Sequence, residues 1–108
     1  MMDCEKNDVI DIKPRDKQIL VSLLVQYLPD TTVWAYGSRV TGHSRPWSDL
    51  DLVLFSRLEQ KHRISLLKEA LDESNLSFRV DLFEWDTLPD SFKKIFSASS
   101  TVLLKAVN

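Results

Sequence analysis

The chain has 108 residues, of which 44% are hydrophobic, a formal net charge of −2 and a single cysteine, Cys4. This length suits one small domain with one core, so we expect residues 1–108 to form a single domain, with residues 1–13 as a flexible N-terminal tail. The lone cysteine excludes an internal disulfide and a cysteine-based zinc cluster, and the acidic balance disfavours a nucleic-acid partner. Without a signal-like N-terminus or about 18 consecutive apolar residues, we expect a soluble, cytoplasmic protein.

The first predicted element is an amphipathic helix over residues 16–28. Apolar side chains recur there at intervals of three and four residues, and Pro14 and Pro29 mark its two ends. A short strand is predicted next, over residues 33–36, because β-branched and aromatic residues run there into Gly37. We expect the helix to supply a core-packing face and the strand to lead into a functional loop.

The loop after this strand contains both glycines of the chain, Gly37 and Gly42. Glycine is favoured where the backbone must turn tightly or let a ligand approach closely. Ser38 stands where a short helix can begin, with a hydroxyl able to cap it and free N–H groups available to a phosphate chain. Arg39 and Arg45 lie in the same loop and are candidates for additional phosphate contacts.

Two aspartates follow the loop, at the start of an apolar strand predicted over residues 50–55. Because side chains alternate along a strand, Asp49 and Asp51 are expected on one face and the neighbouring leucines on the other. Adjacent carboxylates repel each other unless a divalent cation neutralises them, and hard oxygen ligands suit Mg²⁺ carried in with nucleotide phosphates. Considered singly, each aspartate also has an ordinary interpretation, as a turn residue or as an edge-strand charge.

Three further elements are predicted before the C-terminal segment. Apolar spacing indicates a helix over residues 60–75, a strand over residues 77–85 carries Asp81, and a last helix has Pro89 in its first turn. Residues 101–107 fit a short edge strand or a helical turn equally well. The side chains expected to point inward from the last helix are Phe92, Ile95 and Phe96. The order of elements predicts an α/β or α+β fold, a small mixed sheet with helices on one face and the carboxylates on the other.

The loop is close to a competing phosphate-binding motif, the Walker A loop. Its glycines have the required separation, but His43 stands where that motif needs lysine. Pro46 also interrupts any long helix after the loop. The sequence therefore disfavours a Walker loop.

A different signature fits: Gly37-Ser38, ten residues, and then Asp49-x-Asp51. In this pattern the chain resembles the nucleotidyltransferase superfamily of the DNA polymerase β type, whose third carboxylate on a later strand corresponds to Asp81. Because it is short, the chain looks most like the minimal nucleotidyltransferases that are encoded beside small helical proteins of the HEPN type. The resemblance implies a palm-like fold in which the strand of Asp81 neighbours that of the other two aspartates.

The resemblance also implies an activity and its ligands. The three aspartates would hold two Mg²⁺ ions, and the Gly37-Ser38 turn would bind the phosphates of ATP or another nucleoside triphosphate. The reaction would move AMP to a hydroxyl group of a HEPN-type partner protein, as the antitoxin of a toxin–antitoxin pair. We also expect the chain to associate with this partner or with itself, because a palm-like core without companion domains leaves an open apolar face.

Two alternatives stay open. The chain could be a catalytically weak nucleotide-binding or antitoxin subunit that acts by occupying a helical partner. It could also resemble small-molecule nucleotidyltransferases such as those that act on aminoglycosides, although these carry an extra helical domain for the acceptor. The sequence assigns no role to His43, Trp47 or His62.

Overall fold

A four-stranded sheet organises the chain, and the computed structural model describes it over residues 10–42, 45 and 48–105. The strands are β1 (Val33–Tyr36), β2 (Leu50–Leu54), β3 (Val80–Glu84) and β4 (Thr101–Leu104), in the spatial order β3-β2-β1-β4. β1 pairs antiparallel with β2 and with β4, whereas β2 and β3 are parallel. The predicted mixed sheet is therefore confirmed.

The helices occupy the segments between these strands. They are α1 (Pro14–Tyr27), α2 (Ser38–Thr41), α3 (Lys61–Asp72) and α4 (Asp90–Ser99), with single 3-10 turns at Leu58–Gln60 and Trp85–Thr87. Pro14 occupies the first turn of α1, where its missing N–H costs nothing. None of the helices in the described part of the chain is long and apolar enough to cross a membrane.

One face of the sheet carries an aliphatic core. Leu50, Leu52 and Leu54 alternate along β2 toward this face and are fully buried. α1 and α3 cover them, and α3 contributes the stripe that its spacing predicts. The buried residues that these two helices add are Leu20, Leu24, Ile64, Leu67 and Leu71. Both helices thus lie on the predicted side, away from the aspartates.

α4 is the exception, because it packs on the aspartate face. Its Phe96 is 7% exposed and belongs to a second, mainly aromatic cluster with Val53 and Leu88. Phe92 and Ile95, which were expected to point inward, are each 48% exposed. The expectation was wrong for these two because the sheet accepts only one stripe of this helix.

The N-terminal boundary also needs correction. Residues 10–13, predicted as part of a tail, belong to the folded unit: Ile10 and Ile12 pack against the aliphatic core, and the Asp11 N–H donates to the Arg39 carbonyl at 2.7 Å. Residues 1–9 lie outside the described part of the chain. Residues 10–12 thus connect the aliphatic core with the loop that follows β1.

Residues 101–104, part of the segment 101–107 for which a strand and a helical turn were both open, form β4 at one edge of the sheet; residues 106 and 107 lie outside the described part of the chain. β4 pairs with β1 through Thr101 and Val102, with an irregularity in register between Val33 and Trp34. The other edge of the sheet is β3. The strand alternative is therefore the correct one for residues 101–104.

Candidate active site

Two of the three predicted aspartates, Asp51 and Asp81, lie side by side at the start of β2 and β3. Because these strands are parallel and Asp51 is the register partner of Asp81, the two carboxylates project side by side from one face. Asp49 is exposed and lies one residue ahead of β2. The adjacency that the resemblance implied for the strand of Asp81 is confirmed.

The surroundings of Asp51 disfavour the ionised form of its carboxyl group. Asp51 is partly buried, and burial raises its pKa above the ordinary value for an aspartate. The negative charges of Asp81 and then Asp49 raise the pKa further. A proton or a cation at this place therefore lowers the energy of the folded protein.

The aspartate oxygens suit an Mg²⁺ ion that arrives bound to a nucleotide. Within residues 10–42, 45 and 48–105, no three His, Cys, Asp or Glu side chains converge closely enough to hold a metal ion by themselves. Asp81 Oδ1 instead accepts a hydrogen bond from Arg79 Nε at 3.2 Å. Nucleotide-associated Mg²⁺ is bound through one or two carboxylates, with phosphate oxygens and water completing its shell, which matches hard oxygen donors at Asp49, Asp51 and Asp81.

Gly37 joins β1 to α2 directly beside the carboxylates. Its φ of 114° and ψ of −168° lie in a region that is essentially restricted to glycine, and a Cβ placed on it would stand 3.8 Å from Asp51 Oδ2. Gly37 also occupies the N-cap of α2, so Ser38 is the first helical residue and not the cap that its hydroxyl suggested. Gly42 ends the helix in the left-handed conformation, with φ 87°.

Arg39 has a different position from the one predicted for a phosphate ligand. It is 7% exposed, and its guanidinium donates to the carbonyls of Ser48 at 2.9 Å, Asp11 at 2.9 Å and Arg45 at 3.4 Å. It also lies 4.2 Å from the centroid of the Phe78 ring. Through these contacts Arg39 ties the loop to the N-terminal segment, a structural role that the sequence did not suggest.

Arg45 is exposed and stays a candidate for phosphate contact. Its backbone N–H donates to Ser48 Oγ at 2.8 Å, and the Ser48 N–H donates to its carbonyl at 2.9 Å. This turn leads the chain into Asp49. His43 and Trp47 lie outside the described residues, and His62 is exposed on α3, which packs against the face opposite the aspartates.

Sequence reasoning missed two sets of neighbours of this site. Arg79, which pairs with Asp81, is one of them. Tyr36 and Phe83 lie on the face of Asp51 and contact Phe96 of α4, with ring centroids 4.6 Å and 5.7 Å away. The signal for both sets was the period-two alternation that identified the aspartates.

The sequence of the chain matches a known protein family and a named relative. The family described as "Polymerase beta, Nucleotidyltransferase" matches residues 18–106. The chain is 46% identical over 88 residues to the "Probable protein adenylyltransferase MntA" of Haemophilus influenzae, covering 80% of this chain and 76% of that protein.

Two solved structures share the fold. A toxin–antitoxin crystal structure with AMP-PNP has a TM-score of 0.60 at 18% identity, covering 84% of this chain and 74% of that chain. A crystal structure of the toxin–antitoxin MntA-HepT has a TM-score of 0.54 at 15% identity, covering 87% and 74% respectively. At these identities the similarity concerns the fold alone.

Proposed function

This chain belongs to the polymerase β nucleotidyltransferase family, and from that membership we propose that it transfers AMP from ATP to a hydroxyl group of a partner protein, with Mg²⁺ as cofactor. We further propose that it acts as the antitoxin of a toxin–antitoxin pair. A relative at 46% identity that bears the name of a protein adenylyltransferase supports the reaction class.

The proposal rests on the carboxylate row, which consists of Asp49, Asp51 and Asp81, and on the glycine turn beside it. Asp51 and Asp81 are paired across parallel strands, and Gly37 lies next to Asp51. A nucleotide with its phosphates at this turn has its α-phosphorus within reach of the carboxylates. Nucleotidyl transfer needs little covalent help from the protein, since positioning and charge neutralisation supply most of the catalysis.

Each residue has a definite task in this mechanism. Asp49, Asp51 and Asp81 would hold Mg²⁺, which supplies charge neutralisation at the phosphates when it is bound. The backbone at Gly37 and Ser38 orients the β- and γ-phosphates. The acceptor oxygen forms a bond to the α-phosphorus as the bond to pyrophosphate breaks, and Asp81, on the outer strand, accepts the proton that the acceptor hydroxyl loses.

The proposed acceptor is a small helical protein of the HEPN type. Two of the solved structures that share the fold are of toxin–antitoxin proteins, and one of these is MntA-HepT. A partner bound at an interface delivers its hydroxyl in a fixed position, which provides the proximity that in-line attack requires. The acidic chain is a poor collector of RNA by comparison, because phosphate binding depends on positive charge.

Mass spectrometry of the complex tests the proposal. The helical partner, incubated with the chain, ATP and Mg²⁺, should gain AMP units while pyrophosphate is released. Asp51→Asn should abolish the gain, and Asp86→Asn, which changes an exposed aspartate on the 3-10 turn Trp85–Thr87, should leave it unchanged. AMP found on RNA or on a small molecule with an unmodified partner would overturn the protein acceptor, and transfer that persists in EDTA would overturn the metal.

A further inference from the structure

A cavity of about 230 Å³ opens on the aspartate face beside Asp51. Strands β1, β2 and β3 each contribute one residue to its wall, and α4 contributes three. The lining residues are Tyr36, Asp51, Phe83, Phe92, Ile95 and Phe96. The cavity is thus an aromatic chamber with a single carboxylate in its wall.

The rings of this chamber are arranged around Phe96. The Tyr36 ring meets Phe96 edge-on, with centroids 4.6 Å apart, and Phe83 lies at 5.7 Å. Tyr36 and Phe83 belong to strands β1 and β3, so the sheet fixes the positions of these two rings. Phe92, 6.4 Å from Phe96, forms the rim together with Ile95, and both rim side chains are 48% exposed. The rim therefore presents apolar surface that a ligand can cover.

A second cavity, which has Asp81 in its wall, differs from the first in the polarity of its lining. It has a volume of about 330 Å³, lies along β3 and includes the charged side chains of Lys68, Asp72, Arg79 and Asp81. A planar aromatic group gains little there, because stacking and exclusion of water need apolar walls. The cavity beside Asp51 supplies such walls, and the cavity beside Asp81 stays open for the acceptor.

We propose that the aromatic cavity binds the nucleobase of the substrate nucleotide, with Phe92 as its stacking residue. This inference rests on the proposed function, which puts the α-phosphate at Asp51 and hence the ribose and base next to it. The volume is below the roughly 300–1,000 Å³ typical of sites for drug-sized ligands, and it suits one planar ring system. The Tyr36 hydroxyl provides a polar group for the edge of the base.

Isothermal titration calorimetry of the partner-bound chain with Mg²⁺ and α,β-methylene-ATP, the form of ATP used here because it cannot release pyrophosphate, and with Mg²⁺-tripolyphosphate, which lacks a base, separates the base contribution from the phosphate contribution. Phe92→Ala should weaken ATP binding about tenfold, the scale of a lost aromatic stack on a base. Binding of tripolyphosphate should not change. Phe92→Tyr should restore the affinity for ATP, because it restores a stacking ring.

Leu58→Ala is the matched control, since Leu58 is a 77% exposed apolar residue outside the cavity; it should change neither affinity. An unchanged ATP affinity in Phe92→Ala, or equal weakening of both ligands, would overturn the nucleobase site. Loss of the helical partner with ATP affinity retained would instead identify the rim as a docking surface and would also overturn it. A parental chain that bound no nucleotide would contradict the proposed function itself.

Discussion

The two faces of β2 differ in chemistry although they alternate along the same five residues. Toward α1 and α3, Leu50, Leu52 and Leu54 are fully buried in an aliphatic core. Toward α4, burial and the negative charges of Asp81 and Asp49 oppose the ionisation of Asp51. Val53, on the same face, belongs to the mainly aromatic cluster. The first face supplies the stability, and the second places repelling groups on a rigid support.

This contrast explains how a small sheet tolerates a destabilising site. Repelling carboxylates on a flexible loop would move apart, but backbone pairing to β3 keeps Asp51 beside Asp81. Pre-organised charge of this kind is useful for catalysis because no reorganisation is needed when a ligand arrives. Substitutions on the two faces should therefore have opposite effects on stability.

The largest effect is expected from Leu52→Ala on the aliphatic face. Because Leu52 is completely buried, the free energy of unfolding should fall by about 2–5 kcal/mol, the range observed when core leucines are truncated. Urea denaturation measures this, with Leu58→Ala as the exposed control, expected within about 0.5 kcal/mol of the parental chain. A loss no larger than that of the control would mean that the aliphatic face does not carry the stability.

Arg39→Lys tests the loop that bridges the two faces. Lysine keeps the charge but cannot reproduce the guanidinium fork that donates to three carbonyls. Unfolding free energy should fall by about 2 kcal/mol, as expected when charge-assisted hydrogen bonds are lost. If stability stayed parental in urea denaturation while ATP affinity fell, Arg39 would be a phosphate ligand and not a residue that holds the loop in place.

Gly37→Ala places strain at the junction of β1 with the site. The backbone conformation of Gly37 is essentially glycine-only, so alanine should cost about 1–3 kcal/mol and lower the rate of AMP transfer. Gly42→Asn is the matched control, because Gly42 is left-handed, a conformation that asparagine accepts, and among the described residues no atom lies within 4 Å of an added Cβ. Thermal unfolding and transfer assays compare the two, and equal behaviour would remove the special status of Gly37.

The sequence predicted what depends on local patterns. The strand over residues 33–36 was predicted with its observed bounds, and alternation in β2 separated Asp51 from the leucines, because both follow from side-chain direction. The place of Asp81 beside Asp51 came from the family resemblance, since strand pairing joins segments that are distant in the sequence. Periodicity could not decide which stripe of α4 is covered, so Phe92 was assigned inward.

Arg39 shows a second limit of sequence reasoning. An arginine in a loop next to a phosphate-binding turn is an obvious candidate for phosphate contact. Arg39 is buried partly because it donates to the carbonyl of Asp11, 28 residues earlier in the chain, and local sequence patterns do not reveal such a contact. Residues 10–13 were predicted as part of a tail, so the segment whose Asp11 carbonyl accepts from Arg39 was not counted as part of the fold.

The smallest effect concerns Asp51 itself, and it should have the opposite sign to the core substitution. The pKa of Asp51 is raised in the folded protein by burial and by Asp81 and Asp49, so the folded state binds this proton more tightly than the unfolded state does. The stability from that proton is present below the unfolded pKa and is lost as the pH rises through the folded pKa. Without metal, Asp51→Asn should therefore be more stable than the parental chain at pH 7.

The pH dependence sharpens this last comparison. In EDTA, the advantage of Asp51→Asn in thermal unfolding should shrink as the pH falls through the raised pKa, since the parental carboxyl is then protonated as well. Asp86→Asn, on an exposed turn, should show no such trend. With Mg²⁺ and ATP the order should reverse, because only the parental chain gains stability from the ligand. If Asp51→Asn were less stable at pH 7 in EDTA, the carboxylate row would not be repulsive, and the difference between the two faces would not arise from charge.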